Sequence, residues 1–160
     1  MIRLPILIFL PFISALTHAA DNIITGKVIK VADGDTITIL INTKEQVKIR
    51  FAGIDCPERK QPWGRNATEA LKTVLAAEPA TIEVMDIDRY KRTVGRVYIK
   101  GMNINRYLVK SGNCWVYPQY AEDRELYKLQ NEAKAAKHGL WRLPENERMP
   151  PWEWRKSKRK

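Results

Sequence analysis

Acidic residues form two short clusters, each at a junction between a predicted strand and a loop. Asp33 and Asp35 lie in the stretch VADGDT, and Asp55 and Glu58 lie in the stretch IRFAGIDCPE. If the two junctions meet in the fold, they bring together carboxylate oxygens, which are the ligands that calcium prefers. The alternative is that the aspartates only accept hydrogen bonds from backbone amides in turns, and for Asp33 we favour this interpretation.

Arginine is the second residue type suited to chemistry. Arg50 stands near the end of a predicted strand, and the stretch DIDRYKRTVGR contains Arg89, Arg92 and Arg96. A planar guanidinium can hold a phosphate group through two hydrogen bonds, which suits it to charge that develops on phosphorus. The alternatives are an Arg50 on the solvent face of its strand and a solvated hairpin tip around the other three.

Histidine and cysteine are scarce, which disfavours several classes of enzyme. The chain has 2 histidines and 2 cysteines. His18 lies in the N-terminal segment, and His138 is best explained as a surface or capping residue of a predicted helix. A Ser-His-Asp triad, a His-rich zinc site and a two-histidine ribonuclease mechanism are therefore disfavoured. Cys56 and Cys114 could form a disulfide in an oxidising compartment, or they could remain separate thiols.

The charge of the chain predicts a polyanionic partner. The formal net charge is +10, and a basic surface binds phosphates by releasing their counterions. Residues 144–160 form a basic tail that contains proline and tryptophan, with five cations beside Trp152 and Trp154. We expect a disordered, solvated end there; the alternative is a tail that follows a phosphate backbone or an anionic membrane.

Residues 1–20 have the layout of a secretory signal peptide. A short positive start precedes an apolar run, and small residues follow, with a cut expected after Ala19 or Ala20. The alternative is an uncleaved membrane anchor, although the run is short for one. We therefore expect an exported protein, periplasmic or secreted, without stable membrane association after cleavage and monomeric.

The remaining elements must position these residues, and their pattern predicts an α+β fold. Alternating β-branched residues and turn signals predict five strands, and apolar residues at helical spacing predict about three helices. Three strands, a helix, two strands and trailing helices suit a five-stranded OB-fold barrel capped by helices, over residues 21–143. The predicted strands cover 23–31, 36–41, 46–51, 80–87 and 93–99, and the predicted helices cover 66–77, 103–110 and 122–137.

Together and in this order, the motifs VADGDT, IRFAGIDCPE and DRYKRTVGRVY resemble the staphylococcal nuclease (thermonuclease) family. The resemblance runs from about Ile24 to Trp141, and the ending PPWEWR is similar to that of exported bacterial members. It implies that Asp35 and Asp55 bind Ca²⁺ together with the backbone carbonyl of Cys56, where most members have threonine. It also implies that Asp33 tunes this metal site without a direct bond.

The resemblance assigns catalytic and binding roles as well. It implies that Glu58 is the general base, and that Arg50 and Arg92 grip the scissile phosphate. Lys91 replaces a glycine that commonly precedes the second of these arginines, which leaves Arg96 as the alternative. The positions that the resemblance places around the nucleotide are Arg89, Tyr90, Trp115 and Tyr117, where Trp115 replaces a tyrosine.

The function implied is that of an exported, calcium-dependent nuclease of DNA and RNA. The family cleaves the P–O5′ bond and leaves 3′-phosphate ends, and stacking on aromatic rings predicts little sequence specificity and a preference for single strands. The alternatives are a catalytically inactive OB-fold module that binds nucleic acid, and an envelope protein that binds surfaces through its basic tail. For the nuclease, we expect most activity to survive deletion of residues 155–160.

Overall fold

The computed structural model describes residues 22–75 and 78–159. The predicted signal peptide lies outside the described residues. Within them, no helix has the length and apolar character needed to span a bilayer. In chain order the strands are β1 (Ile23–Val31), β2 (Thr36–Ile41), β3 (Glu45–Phe51), β4 (Ile54–Asp55), β5 (Pro79–Ile87), β6 (Thr93–Ile99), β7 (Met102–Asn103) and β8 (Trp115–Val116). The α-helices are α1 (Gly64–Leu75), α2 (Ile104–Lys110), α3 (Arg124–Ala135) and α4 (Pro151–Ser157).

The first three strands form an antiparallel meander because their side chains alternate between the core and the solvent. β2 pairs with both β1 and β3, and Ile37 lies opposite Ile49 in the register of β2 and β3. Ile37, Ile39, Ile49 and Phe51 are almost completely buried. The meander thus contributes one wall of the hydrophobic core.

The barrel closes through β5 and β6. β5 pairs with β1, β6 pairs with β5, and β6 then runs parallel to β3 with Arg50 opposite Val94. This last pairing joins the two ends of the sheet, which confirms the prediction of a closed five-stranded barrel with helices. It also places the start of β6 beside the end of β3, where the acidic residues cluster.

Helices α1, α2 and α3 cover the barrel with apolar stripes. Leu71 of α1, Leu108 of α2 and Leu126 of α3 belong to the same core cluster as the barrel residues. α3 begins at Arg124 rather than at 122 because the side chain of Asp123 caps its first turn by accepting the amide hydrogen of Glu125. α1 begins at Gly64, two residues before the predicted start at 66.

The sequence did not predict α4 or the short strands β4, β7 and β8. The prediction of a disordered, solvated tail is wrong for residues 151–157, which form α4 with Pro151 buried at its first turn. Proline suits this position because the first amide of a helix needs no partner within the helix. The chain therefore has four α-helices in its described part rather than about three.

Candidate active site

Asp35 and Asp55 meet at one end of the barrel. Asp35 directly precedes β2, and its carbonyl accepts the amide hydrogen of Phe51 at the end of β3, over 2.9 Å. Gly53, at φ +70°, then reverses the chain into β4, whose last residue is Asp55. Both acids are buried, with 5% and 1% of their surfaces exposed. The fold thus converts two distant acidic motifs into one buried pair.

Arg50 joins the two acids through a single guanidinium. Its Nη1 lies 3.3 Å from Asp35 Oδ1, and its Nη2 donates to Asp55 Oδ1 over 3.0 Å. Nη1 also donates to the carbonyl of Phe51 over 2.9 Å. The side chain is only 13% exposed. The alternative of an Arg50 directed to solvent is therefore wrong, and Arg50 lies inside the acidic cluster.

The surroundings of Asp35 disfavour the ionised form of its carboxyl group. Burial raises its pKa to about 8; the attraction of Arg50 opposes this effect, and the charges of Asp33 and Asp55 add to it. Asp33 also accepts the amide hydrogen of Asp35 over 3.1 Å, as the turn interpretation predicts. A second positive charge near Asp35 would favour its ionised form.

Glu58 lies on the loop that follows β4 and joins the cluster through Arg155. Arg155 Nη1 donates to Glu58 Oε1 over 2.7 Å, and Arg155 Nη2 donates to Asp55 Oδ2 over 2.7 Å. The backbone amide of Glu58 donates to the side chain of Gln61. The structure thus brings Asp35, Asp55, Glu58 and Arg50 together, and it adds Arg155, which lies in the segment predicted to be a solvated tail.

The aromatic residues Trp115 and Tyr117 lie beside the acids. Trp115 is the register partner of Asp55 in the pairing of β4 with β8, and the amide of Tyr117 donates to the carbonyl of Gly53. Trp152 of α4 stacks parallel to Tyr117, with ring centroids 5.1 Å apart, and meets Trp115 edge to face at 6.2 Å. The ring faces predicted to hold a base are therefore partly covered by α4.

Arg92, Arg89 and Tyr90 lie on the hairpin between β5 and β6, just before the residues of β6 that pair with β3 beside Arg50. Arg92 donates through Nε to Asp88 Oδ2 over 2.7 Å, and the Arg89 and Arg92 guanidinium groups lie 5.0 and 5.4 Å from the centre of the Tyr90 ring. Burial alone would raise the pKa of Asp88, but hydrogen bonds from Arg92 hold it below its usual value. In the described residues no ion pair joins Arg92 to Asp35, Asp55 or Glu58.

Lys91 and Arg96 are the two residues that bear on the assignment of the second arginine. Lys91 has a φ of +58°, the left-handed conformation that favours glycine, so this turn accommodates a lysine where the resemblance expects glycine. Arg96 pairs with Glu83 across β5 and β6, over 2.7 Å. Arg92 and Arg96 are thus each paired with an acidic residue of the same hairpin, Arg92 with Asp88 and Arg96 with Glu83.

A disulfide between Cys56 and Cys114 fixes the loop that carries Glu58. It links the residue after Asp55 to the residue before Trp115, so that the acidic loop and the aromatic strand share a covalent tie. The backbone amide of Cys56 donates to Asp35 Oδ2 over 2.7 Å. Of the two alternatives for these cysteines, the structure has the bridged form.

The residues at this end of the barrel fit a calcium ion. Asp35 and Asp55 offer hard carboxylate oxygens, and Asp35 is buried without enough positive charge to keep its pKa low. No group of three or more His, Cys, Asp or Glu side chains suited to a metal occurs in residues 22–75 and 78–159. Asp35 and Asp55 are two such side chains, so the carbonyl of Cys56 and oxygens of water and phosphate would complete the coordination shell.

Comparison with known proteins agrees with this arrangement. A family model described as "Staphylococcal nuclease homologue" matches residues 48–143, which include Asp55, Glu58 and Arg92. A protein of Escherichia coli named "Uncharacterized endonuclease" is 43% identical over 136 residues, covering 84% of this chain and 87% of the relative. "Micrococcal nuclease" of Shigella flexneri is 33% identical over 143 residues, covering 82% of this chain and 80% of the relative. The chain therefore belongs to the staphylococcal nuclease family.

Proposed function

We propose that the protein is an exported, calcium-dependent nuclease that hydrolyses phosphodiester bonds in DNA and RNA. The observation that carries the proposal is the convergence of Asp35 and Asp55 on one guanidinium of Arg50, with Glu58 three residues beyond Asp55. A protein that only binds nucleic acid has no need for buried carboxylates facing a phosphate, because they repel it.

Different side chains would bind the cation, accept the proton of water and donate hydrogen bonds to the phosphate. Asp35, Asp55 and the carbonyl of Cys56 would hold calcium, which when bound supplies Lewis-acid polarisation of a phosphate oxygen. Glu58 accepts a proton from the attacking water, whose oxygen bonds to phosphorus. The P–O5′ bond breaks, the 5′ oxygen takes up a proton from solvent while Glu58 returns its own to solvent, and the phosphate stays on the 3′ end. Arg50 and Arg92 donate hydrogen bonds to the phosphate oxygens as negative charge builds on them.

The substrate is single-stranded nucleic acid, which the protein cleaves with low sequence specificity. A base that leaves the duplex can stack on the parts of the Tyr117 and Trp115 rings that Trp152 leaves uncovered. Arg89 and Tyr90 lie together at the tip of the hairpin between β5 and β6, where Tyr90 is 64% exposed. An exposed cation and ring can contact backbone and base without reading base edges.

Cleavage of labelled DNA and RNA in calcium or in chelator tests this function. We expect the wild type to cut both with calcium, and Glu58→Gln to lose most activity while it still binds calcium. Analysis of the product ends should find 3′-phosphates. An inactive binding module would instead retain the nucleic acid without cutting it in either condition.

Export has a separate test. We expect expression of the full chain in a bacterial host to yield a periplasmic or secreted product whose N-terminus is Ala20 or Asp21. Retention in the membrane with residues 1–20 intact would contradict it.

A further inference from the structure

Arg155 of α4 reaches the acidic cluster. Its two Nη atoms form three hydrogen bonds: Nη1 to Asp55 Oδ1 at 3.2 Å, Nη1 to Glu58 Oε1 at 2.7 Å, and Nη2 to Asp55 Oδ2 at 2.7 Å. One rigid guanidinium therefore fixes the separation between a predicted calcium ligand and the predicted general base.

The helix that carries Arg155 is anchored by contacts of its own. Pro151 is buried, Trp152 stacks on Tyr117, and the side chain of Gln61 donates to the carbonyl of Met149 just before the helix. Gln61 also accepts the amide hydrogen of Glu58. Stacked aromatic pairs stabilise a contact beyond the area that they bury. These contacts hold α4 against the Glu58 loop independently of Arg155.

The hydrogen bonds of Arg155 leave acceptor positions free on the proposed calcium ligands. A carboxylate offers about four acceptor positions, and Asp55 accepts from Arg50 once and from Arg155 twice. One position at Asp55 is left for a metal, as is one at Asp35 Oδ2, which accepts from the amide of Cys56. In the described part of the chain the second oxygen of Glu58 accepts no hydrogen bond, so a water can approach it.

We propose that Arg155 is a positioning residue that orders Glu58 against Asp55 for the attack of water. The proposal rests on the nuclease function proposed above. The Glu58 side chain is 38% exposed, so without a partner it would sample several rotamers and lose entropy when it orders. Because proton transfer needs the base within hydrogen-bond reach of the water, a displaced Glu58 slows the chemical step rather than substrate binding.

Kinetics of Arg155→Gln against Lys156→Gln test this role. Lys156 is an exposed cation on the same helix, so its loss controls for charge alone. We expect Arg155→Gln to lower kcat by about 10- to 100-fold, the usual cost of losing a residue that orients a metal-site ligand. KM for a single-stranded oligonucleotide should stay near the wild-type value, and Lys156→Gln should match the wild type in both constants.

Calcium binding can be measured without substrate by calorimetric titration, which gives a readout independent of activity. We expect Arg155→Gln to bind calcium at least as tightly as the wild type, because a positive charge beside Asp55 is removed, so that a lower kcat at saturating calcium does not come from a lost cation. Tighter calcium binding together with a higher kcat would overturn the proposal, since α4 would then be a plug that competes with the cation. A kcat equal to that of the wild type would overturn it as well.

Two further variants guard against a purely structural effect. Arg155→Lys keeps the charge but cannot join three oxygens with one ammonium, so it should fold like the wild type and keep the deficit in kcat. Arg155→Ala should regain kcat when millimolar guanidinium is added, whereas Lys156→Gln should not respond. Full activity of Arg155→Lys, or no rescue of Arg155→Ala, would refute the positioning role. A wild type that does not cleave with calcium would refute the nuclease function itself.

Discussion

Asp35 combines deep burial with a carboxyl group that must be ionised to bind a cation. If Asp35 binds calcium as proposed, its pKa of about 8 means that binding at neutral pH would displace a proton. Folding raises this pKa above the ordinary value of 3.8. The contribution of Asp35 to the stability of the calcium-free protein is therefore complete below pH 3.8 and is lost as pH rises through 8.

The affinity for calcium should therefore depend on pH. From about pH 6 to pH 8 we expect the association constant to rise by up to tenfold per pH unit, as for the release of one proton, and to level off above pH 8. Calorimetry in buffers of different ionisation enthalpy measures both the affinity and the proton released. An affinity that is constant over this range would show that Asp35 is already ionised without calcium.

Arg50 is placed to supply geometry as well as charge. We expect Arg50→Lys to lose about 2.7–4 kcal/mol of transition-state stabilisation, by analogy with a removed oxyanion donor, because an ammonium cannot reproduce the planar fork. The measurement is kcat/KM with saturating calcium. Lys48→Gln, an exposed position two residues earlier on β3, is the matched control and should be neutral. An active Arg50→Lys would mean that a point charge is sufficient.

At the scale of the elements, local residue patterns predicted the long strands and the faces that they bury. Alternating residues such as Ile37, Ile39 and Ile49 define both the strands and their buried faces. Asp35 and Asp55 could be paired in advance because each stands at the junction of a strand and a turn. The short strands β4 and β8 could not be predicted, because two residues carry no periodicity and their pairing depends on the reversal at Gly53.

The role of α4 escaped prediction for a different reason. Arg155 lies 100 residues from Asp55 in sequence, and a run of cations near a terminus resembles a solvated tail. Its contact depends on Trp152 finding Tyr117, a tertiary stack with no local signature. Because Arg155 donates hydrogen bonds to Asp55 and Glu58, we now expect deletion of residues 155–160 to reduce kcat rather than to leave most activity intact.

The disulfide should stabilise the acidic loop and the protein as a whole. For a separation of 58 residues between Cys56 and Cys114, loop-closure entropy gives a contribution of about 4 kcal/mol. We expect the double change of both cysteines to alanine to lower the free energy of unfolding by up to this amount, measured by urea denaturation at constant pH. The wild type in reductant should lose a similar amount. Equal stability of oxidised and reduced protein would contradict this expectation.

At the scale of the whole molecule, the acids of the site stand against a positive background. The net charge of +10 comes from 28 lysines and arginines against 18 acidic residues, while Asp35, Asp55 and Glu58 are concentrated at one end of the barrel. A long-range positive field attracts a polyanion, and the local acids are then neutralised by Arg50, Arg155 and a cation. The net positive charge of the protein thus serves association with the polyanion, whereas the charged groups at the acidic end of the barrel serve catalysis.

This division predicts how binding responds to salt. In a Glu58→Gln background, which binds without cutting, the logarithm of the affinity for an oligonucleotide should fall linearly with that of the salt concentration. Changing Arg89 and Lys91 at the hairpin tip to glutamine should reduce that slope by about 1.4, since each phosphate contact on a single strand contributes about 0.7. Lys44 follows β2 and Lys100 follows β6, so both lie at the barrel end opposite Asp35 and Arg92, and their double change to glutamine should leave the slope almost unaltered. Equal slopes for the two double variants would mean that the hairpin does not contact the strand and that attraction comes from net charge alone.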